Sequence, residues 1–154
     1  MHKRCFLFGH RDTPDSVLPR IEQAVETHYC QYGIREFVVG NRGNFDRLAA
    51  RAVRTVKEKY PDIRLTLLLA YPPASVSNAQ WRIWDSFVYP DGLETIPPQH
   101  AIPAANRYMV EHTNCIICYV AHAGNTRTLL HAVHEEQLLP DDQIDNLADD
   151  ELPF

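Results

Sequence analysis

FVVGNRGNFD, residues 37–46, is the stretch that decides the fold of this chain. A short apolar run stops at Gly40, a second glycine follows at Gly43, and an amphipathic segment begins at Phe45. This order is typical of a buried strand that passes through a tight turn into a helix. Glycine lets a ligand approach the main chain closely, and the free N–H groups of a helix N-terminus favour an anion. The stretch therefore predicts a binding loop for a phosphorylated ligand such as a nucleotide.

Apolar runs and helical patterns alternate along the rest of the chain. We predict strands at 5–9, 36–40, 63–69 and 115–120, and a short edge strand at 143–147. We predict helices at about 16–32, 45–59, 104–112 and 126–137, and an irregular loop at 70–103. Strands that alternate with helices predict an α/β fold, with a Rossmann-like parallel sheet that has helices on both faces. This single three-layer domain is expected to span 1–139, and an acidic tail is expected at 148–154.

Composition and charge narrow the class of partner. A chain of 154 residues predicts one domain, and its net charge of −5 is uneven because residues 140–154 carry six acids and no base. The rest of the chain is close to neutral, so nucleic acid is not expected as a partner. No apolar run is long enough for a membrane span or a leader, so we expect a cytoplasmic protein with no membrane partner. A homodimer is compatible with such a fold, but no residue specifies one.

The four cysteines raise the question of a metal site. Cys115 and Cys118, followed by His122, have the spacing of half a zinc site. However, residues three apart on a strand point to opposite faces, which favours reduced thiols in the core. His131 and His134 lie three apart on a predicted helix but lack a third ligand nearby in sequence. We therefore predict neither a metal nor a cofactor.

Three predicted strands end in polar or glycine-containing loops, at 9–11, 40–46 and 122–126. Ligands of parallel α/β sheets bind beyond the carboxyl ends of the strands, so these loops are expected to converge on one crevice. The turn at 123–126 is expected to be the better phosphate cradle, because its amides precede a helix. The predicted ligand-binding residues are Gly9, His10, Arg11, Gly40, Asn41, Arg42, Gly43, Asp46, Arg107, Gly124, Asn125 and Thr126.

Individual side chains leave alternatives open. Arginine offers a planar fork of donors for phosphate oxygens, and Arg11 and Arg42 are favoured because each follows a strand-ending glycine closely. Asp46 lies in the first turn of the second helix, where it either caps N–H groups or accepts from ribose hydroxyls. Trp81 and Trp84 together with Tyr71 form either an aromatic lid over a base or ordinary packing of the long loop.

Two runs, CFLFGHR at 5–11 and FVVGNRGNFDRLA at 37–49, resemble the SLOG superfamily. This Rossmann-like set contains the DNA-processing proteins Smf/DprA and the cytokinin-activating LONELY GUY proteins. The segment 104–112, the strand at 115–120 and the glycine-containing turn after it fit the second half of the same pattern. The likeness covers roughly residues 4–137, and it is nearest to small stand-alone bacterial members of the YspA/YpsA type.

The resemblance implies a nucleotide or nucleotide-derived ligand, such as a nucleoside monophosphate or an ADP-ribose-like compound, which the protein binds as a sensor. The alternative that it implies is a nucleoside 5′-monophosphate N-glycosidase of the LONELY GUY kind, with Arg42 and Asp46 as candidate catalytic residues. Those enzymes use the glutamate of a Pro-Gly-Gly-x-Gly-Thr-x-x-Glu motif. The stretch 122–130 keeps small residues and a threonine, but Leu129 or Leu130 stands where the carboxylate would be. A third hypothesis is binding of single-stranded DNA.

Overall fold

A computed structural model describes residues 3–151 of the protein, which form a six-stranded sheet whose strands are all parallel. The strands are β1 (Lys3–Gly9), β2 (Ile34–Val39), β3 (Arg64–Leu68), β4 (Ser86–Val88), β5 (Cys115–Tyr119) and β6 (Ile144–Asn146). Their order in space is β4-β3-β2-β1-β5-β6. The direction of winding reverses between β1 and β5, which makes the ends of these two strands the topological switch point. The α/β, Rossmann-like fold predicted from the sequence is confirmed.

Helices cover both faces of the sheet. They are α1 (Leu18–Tyr32), α2 (Asn44–Lys59), α3 (Asn78–Trp81), α4 (Pro98–Glu111) and α5 (Asn125–Glu135). Cys5 and Leu7 of β1 pack with α1 and α2, whereas Phe6 and Phe8 pack with α4 and α5. Both faces of the central strands are therefore buried, which explains why the apolar runs are continuous rather than alternating. None of the helices among residues 3–151 is both long and apolar enough to cross a membrane.

Two helix ends show how local sequence sets the elements. Pro19 lies in the first turn of α1, where its missing N–H costs no intrahelical bond. Gly33 follows α1 in the left-handed region, with φ of 71°, and its N–H donates to the His28 carbonyl. A glycine adopts this conformation without the steric cost that a Cβ would add, so the helix ends there.

The prediction of an irregular segment at 70–103 was wrong. That segment contains α3 and β4, and α4 begins at Pro98 rather than at Ala104. The helix was predicted too short because Pro103, which lies inside α4, looked like a boundary. Strand β4 has only three residues, too few to give a periodic signal. Its pairing is fixed by β3, since the hydroxyls of Thr66 and Ser86 lie 2.7 Å apart and Leu69 N donates to Val88 O.

The C-terminal segment joins the sheet through β6, which falls within the range expected for the edge strand. Asn146 links it to the end of β5, because its amide group accepts from Val120 N at 3.0 Å and donates to Val120 O at 3.1 Å. The predicted acidic tail at 148–154 starts inside the core, since Ala148 is only 5% exposed. Residues 152–154 lie outside the described residues.

Candidate functional site

Loops that follow β1, β2 and β5 meet at one rim of the sheet. The backbone N–H groups of Asn44 and Phe45 donate to the carbonyls of Arg11 and His10, at 3.0 and 3.3 Å. The His10 ring nitrogen Nε2 accepts from Ala121 N at 2.9 Å and from His122 N at 3.2 Å. Hydrogen bonds thus tie the β1 loop to both of the others. The structure brings together segments that are distant in sequence, at the switch point of the sheet.

The N-terminus of α2 is closed by the protein's own backbone. Its first two amides are used by the β1 loop, and the Arg42 amide donates to Asp46 Oδ2 at 2.9 Å. A Cβ on Gly40 would lie 2.9 Å from that same carboxylate oxygen, and a Cβ on Gly43 would lie 2.7 Å from the Arg11 Cα. A Cβ on Gly9 would overlap the Phe45 ring. From the sequence, these glycines were expected to let a ligand approach the main chain. In the structure, internal packing already requires them.

In contrast, the N-terminus of α5 is open. Gly124 precedes the helix with φ of 147°, and a Cβ built there meets nothing within 4 Å. Within residues 3–151, the amides of Asn125, Thr126 and Arg127 donate to no group of the protein. The Thr126 hydroxyl reaches back to the Gly9 carbonyl at 3.4 Å, so it fastens the helix to β1 rather than capping it. Three free amides at the positive end of an eleven-residue helix can hold an anion.

Two arginines add positive charge beside the rim. The Arg42 guanidinium lies over the Tyr71 ring, 5.0 Å from its centroid, and the Tyr71 hydroxyl donates to the Pro98 carbonyl. Burial lowers the pKa of Arg42, with a smaller contribution from repulsion by Arg11. An arginine nevertheless stays charged near neutral pH. Arg11 is exposed. An incoming anion would therefore meet two guanidinium groups.

Asp46 lies beside these two arginines at the rim, and its pKa is shifted. Burial raises its pKa to about 6, against the opposing effects of the Arg42 amide and of the two guanidinium groups. The observed contact is of the capping kind, because Oδ2 holds the amide that precedes the helix. An acid with such a pKa exchanges its proton near neutral pH, which is a property that acid–base catalysts require.

Stacked histidines close the rim between β1 and β5. The rings of His10 and His122 are 3.6 Å apart between centroids and nearly parallel. His10 is buried, and its Nε2 accepts two amides, so we assign the neutral form with the proton on Nδ1. Burial and the neighbouring His122 lower the pKa of His10. His10 was predicted as a ligand-binding residue, and in the structure its Nε2 accepts two backbone amides and thereby joins two loops.

His122 carries the opposite tendency. Its Nδ1 faces the Ala123 carbonyl at 2.9 Å and its Nε2 faces Asp12 Oδ1 at 3.1 Å. These two acceptors raise the pKa of His122, the Ala123 carbonyl most of all. Asp12, His10 and His122 have ligand atoms within 4.8 Å of one another, but the lone pair of His10 Nε2 is already in use. The role of Asp12 was not predicted, since nothing in the sequence marks it apart from other loop acids.

Some predicted site residues lie elsewhere. Arg107 pairs with Glu111 at 2.8 Å and with Glu136, and these two carboxylates raise its pKa, with Glu136 the larger cause. It lies in the last part of α4, toward the amino ends of the strands, so the structure places it away from the rim. Asn41 is exposed at the rim and keeps its predicted position.

The three aromatic residues of the long loop belong to two different clusters. Trp81 and Trp84 pack on the cluster of Leu67, Leu69 and Val76 beside β4, which agrees with the packing alternative. Of the three aromatic residues, Tyr71 is the one that contacts a predicted site residue.

The structure also shows where the cysteine pair and the histidine pair singled out in the sequence lie. Cys115 and Cys118 belong to the cores on opposite faces of the sheet, as the strand period predicted. Exposed His131 and His134 each face an acid, at 3.4 and 3.2 Å.

Comparisons with known proteins support the fold. No family model and no curated protein matches the chain. Among solved structures, DNA processing protein A (DprA) from Streptococcus pneumoniae is similar, with a TM-score of 0.63 and 14% sequence identity. The match covers 88% of this chain and 48% of that chain, so this chain spans about half the length of DprA. The likeness supports the α/β, Rossmann-like fold, while membership of the SLOG superfamily and of its YspA/YpsA type stays a prediction.

Proposed function

We propose that the protein binds a nucleotide-derived phosphate ester, such as a nucleoside monophosphate or an ADP-ribose-like compound, at the rim. The observation that carries this proposal is the difference between two helix N-termini. Both follow strand ends and glycine turns, yet the first two amides of α2 bond to the β1 loop whereas α5 keeps its first three amides free. We infer that the phosphate binds at the turn after Gly124, at the amides of Asn125, Thr126 and Arg127.

Charge at the rim favours a phosphorylated ligand over a neutral nucleoside. Arg11, Arg42 and the imidazolium form of His122 are all cationic, and the helix dipole adds to their field. Asp46 and Asp12 offset part of this charge, but each is already engaged, by the Arg42 amide and by His122. The Tyr71 ring beside Arg42 offers an aromatic face near the same edge.

Thermal unfolding in the presence of nucleotides tests the proposal. A ligand at about 100 times its Kd stabilises the folded state by about 2.7 kcal/mol, which raises Tm by roughly 5–10 °C in a chain of this size. We expect this shift with nucleoside monophosphates and not with the matching nucleosides. Arg42→Ala should weaken it roughly tenfold or more in ligand concentration. Arg54→Ala is the matched control, because Arg54 is an exposed arginine in the second half of α2, the helix that follows the Arg42 loop.

If Arg42→Ala and Arg54→Ala weakened the ligand-induced shift in Tm equally, the assignment of the site would be contradicted. The absence of any shift with phosphorylated ligands would contradict the proposed function itself.

The protein would either only bind this ligand at the rim or also hydrolyse it there. In favour of hydrolysis, Asp46 has a pKa of about 6 and its carboxylate lies beside the Arg42 amide. Against it, Leu130 is buried and Leu129 packs in the core formed with α4, so no carboxylate stands at either position of α5. A base-release assay decides between the two. Turnover that is lost in Asp46→Asn, with ligand binding retained, would establish an N-glycosidase.

A different surface supports single-stranded nucleic acid as a second candidate ligand. A groove of about 510 Å³ at the amino ends of β3 and β4 is lined by Arg51, Arg54 and Arg82 together with Lys57. It also contains Glu58 and Asp85, and Asp85 pairs with Lys57 at 2.7 Å. Through Asp85 the groove continues into a pocket of about 350 Å³ lined by Trp81, Trp84 and Phe87. Of these rings Phe87 is exposed, and the two tryptophans are half-buried. Basic side chains beside accessible aromatic surface are the combination that binds unpaired bases.

Fluorescence anisotropy with a labelled oligothymidine tests this second candidate. We expect binding that weakens steeply with salt, because released counterions drive it. The double variant Arg54→Ala/Arg82→Ala should lose most of this binding, while Arg42→Ala keeps it. Retained binding in the double variant would exclude the groove.

A further inference from the structure

Three metal-ligating side chains meet inside the core, away from the rim. Cys5 of β1, Cys115 of β5 and His28 of α1 have ligand atoms that all lie within 4.8 Å of one another. Their exposed fractions are 0%, 1% and 6%. The cluster is therefore a closed set of two sulfur donors and one nitrogen donor, and the proposed nucleotide site uses none of them.

Topology explains why these residues converge. Cys5 and Cys115 are direct partners in the parallel pairing of β1 with β5, and both belong to the core beneath α1 and α2. Helix α1 runs back along the sheet after β1, so its last turns return to the amino ends of the strands. His28 lies in that part of α1. The three donors thus come from three elements that the fold holds in fixed relative positions.

His28 has the tautomer that a metal ligand needs. His28 Nδ1 lies 2.7 Å from the Ala24 carbonyl one turn earlier, so Nδ1 carries the proton and donates it. The lone pair is then on Nε2. Histidines that bind metals characteristically donate their other ring N–H to a carbonyl or carboxylate, which fixes the tautomer and the ring plane. The ring also contacts the exposed Tyr32, with centroids 5.3 Å apart, so the cluster lies next to the surface at the end of α1.

The two thiols are neighbours in the core. Cys5 Sγ has a weak contact with the Phe6 carbonyl at 4.0 Å, and it also interacts with the Cys115 thiol and the Ile117 backbone. A bound cation would replace the thiol protons, as it does in thiolate sites generally.

We propose that Cys5, His28 and Cys115 form a site for a thiophilic d¹⁰ metal ion, and specifically for Zn²⁺. Binding converts both thiols to thiolates and releases two protons, while His28 stays neutral. Two thiolates balance the charge of Zn²⁺, so the complex is neutral in an apolar core, whereas Cu⁺ would leave a net negative charge there. Three protein donors leave the fourth tetrahedral position to a solvent molecule or small ligand.

Metal binding by the reduced full-length protein tests this proposal. Zn²⁺ alone is titrated against a chromophoric chelator, and Co²⁺ is used in parallel because its thiolate complexes absorb in the near ultraviolet. We expect about one ion per chain, with thiolate-to-cobalt bands. Cys5→Ala and Cys115→Ala should reduce affinity by more than the roughly 10–100-fold that loss of a supporting hydrogen bond causes. Cys118→Ala is the matched control, because Cys118 is a buried thiol on the other face of β5.

Three results would overturn the proposal. The first is a reduced wild-type protein that does not compete with the chelator for Zn²⁺ and shows no thiolate bands with Co²⁺. The second is a Cys118→Ala variant that loses binding as fully as Cys5→Ala. The third is binding of Cu⁺ without binding of Zn²⁺. The wild-type spectra decide the matter even if a cysteine variant fails to fold.

Discussion

At the scale of single residues, the rim combines groups that favour binding and disfavour stability. Asp46 is the clearest case, because burial makes its charged form costly and raises its pKa to about 6. Folded protein therefore binds more protons than the unfolded chain between pH of about 4 and 6, and stability falls as the pH rises through that window. Above it the carboxylate opposes folding by a constant amount.

Asp46→Asn should stabilise the protein at pH 8 and not at pH 4. Asparagine keeps an oxygen for the Arg42 amide but carries no charge, so the cost of burying a carboxylate disappears. The shift corresponds to a gain of roughly 1–2 kcal/mol after allowing for partial exposure of the side chain. Urea unfolding at both pH values measures it. A gain at pH 4 as large as that at pH 8 would show that ionisation is not the cause.

Gly9 is a position where the sequence suggests that a glycine is required but does not show which neighbour requires it. A strand-ending glycine suggested close approach of a ligand, but the neighbour is the buried Phe45 ring. Sequence patterns show that a Cβ is absent, and only the fold shows what occupies that space. The same holds for Arg107, because its position on a helix does not indicate that Glu111 and Glu136 lie opposite it.

Gly9→Ala should destabilise the protein in the absence of any ligand. The added methyl group forces the Phe45 ring to move within a packed core, which costs about 1–3 kcal/mol. Gly124→Ala offers a comparison at the same rim, because its cost comes from φ alone and a Cβ there meets no neighbour. Denaturant midpoints of the two variants separate overlap from backbone strain. A neutral Gly9→Ala would contradict the internal role of this glycine.

At the scale of elements, strong periodic patterns were read correctly and weak ones were not. Helices α1 and α2 and strands β1, β2, β3 and β5 have long apolar signals and clear boundaries. Strand β4 has three residues, and α4 contains an internal proline, so tertiary pairing decides both. The short strand β6 depends on the Asn146 side chain, which links its end to the end of β5.

Asn146→Ala should release this edge of the sheet. The side chain also accepts from Ala148 N at 3.2 Å, so its loss leaves Val120 and Ala148 without three hydrogen bonds. We expect a loss of about 1–3 kcal/mol in unfolding free energy and faster hydrogen exchange at Val120. Gln143→Ala serves as the control, since among the described residues its side chain has no hydrogen-bond partner. Unchanged exchange at Val120 would contradict the role of Asn146.

At the scale of the whole molecule, the parallel topology divides the protein into two ends with different chemistry. The carboxyl ends of the strands carry the rim, the two arginines and the open amides of α5. The amino ends carry the buried cysteine–histidine cluster and, beside β3 and β4, the arginine groove. Alternation of strands and helices was enough to predict that the loops converge, because the carboxyl ends of parallel strands all lie at one edge of the sheet. The sequence alone could not show which helix N-terminus stays open, because that depends on the hydrogen bonds between the loops.

The difference between the N-termini of α2 and α5 is tested most directly by amide chemical shifts. A ¹⁵N-labelled protein is titrated with a nucleoside monophosphate, and the perturbed amides are mapped. We expect the largest shifts at Asn125, Thr126 and Arg127, and small ones at Asn44 and Phe45, whose N–H groups already bond to the β1 loop. Shifts centred on Asn44 and Phe45, or on Arg54 in the groove, would contradict the account of the rim.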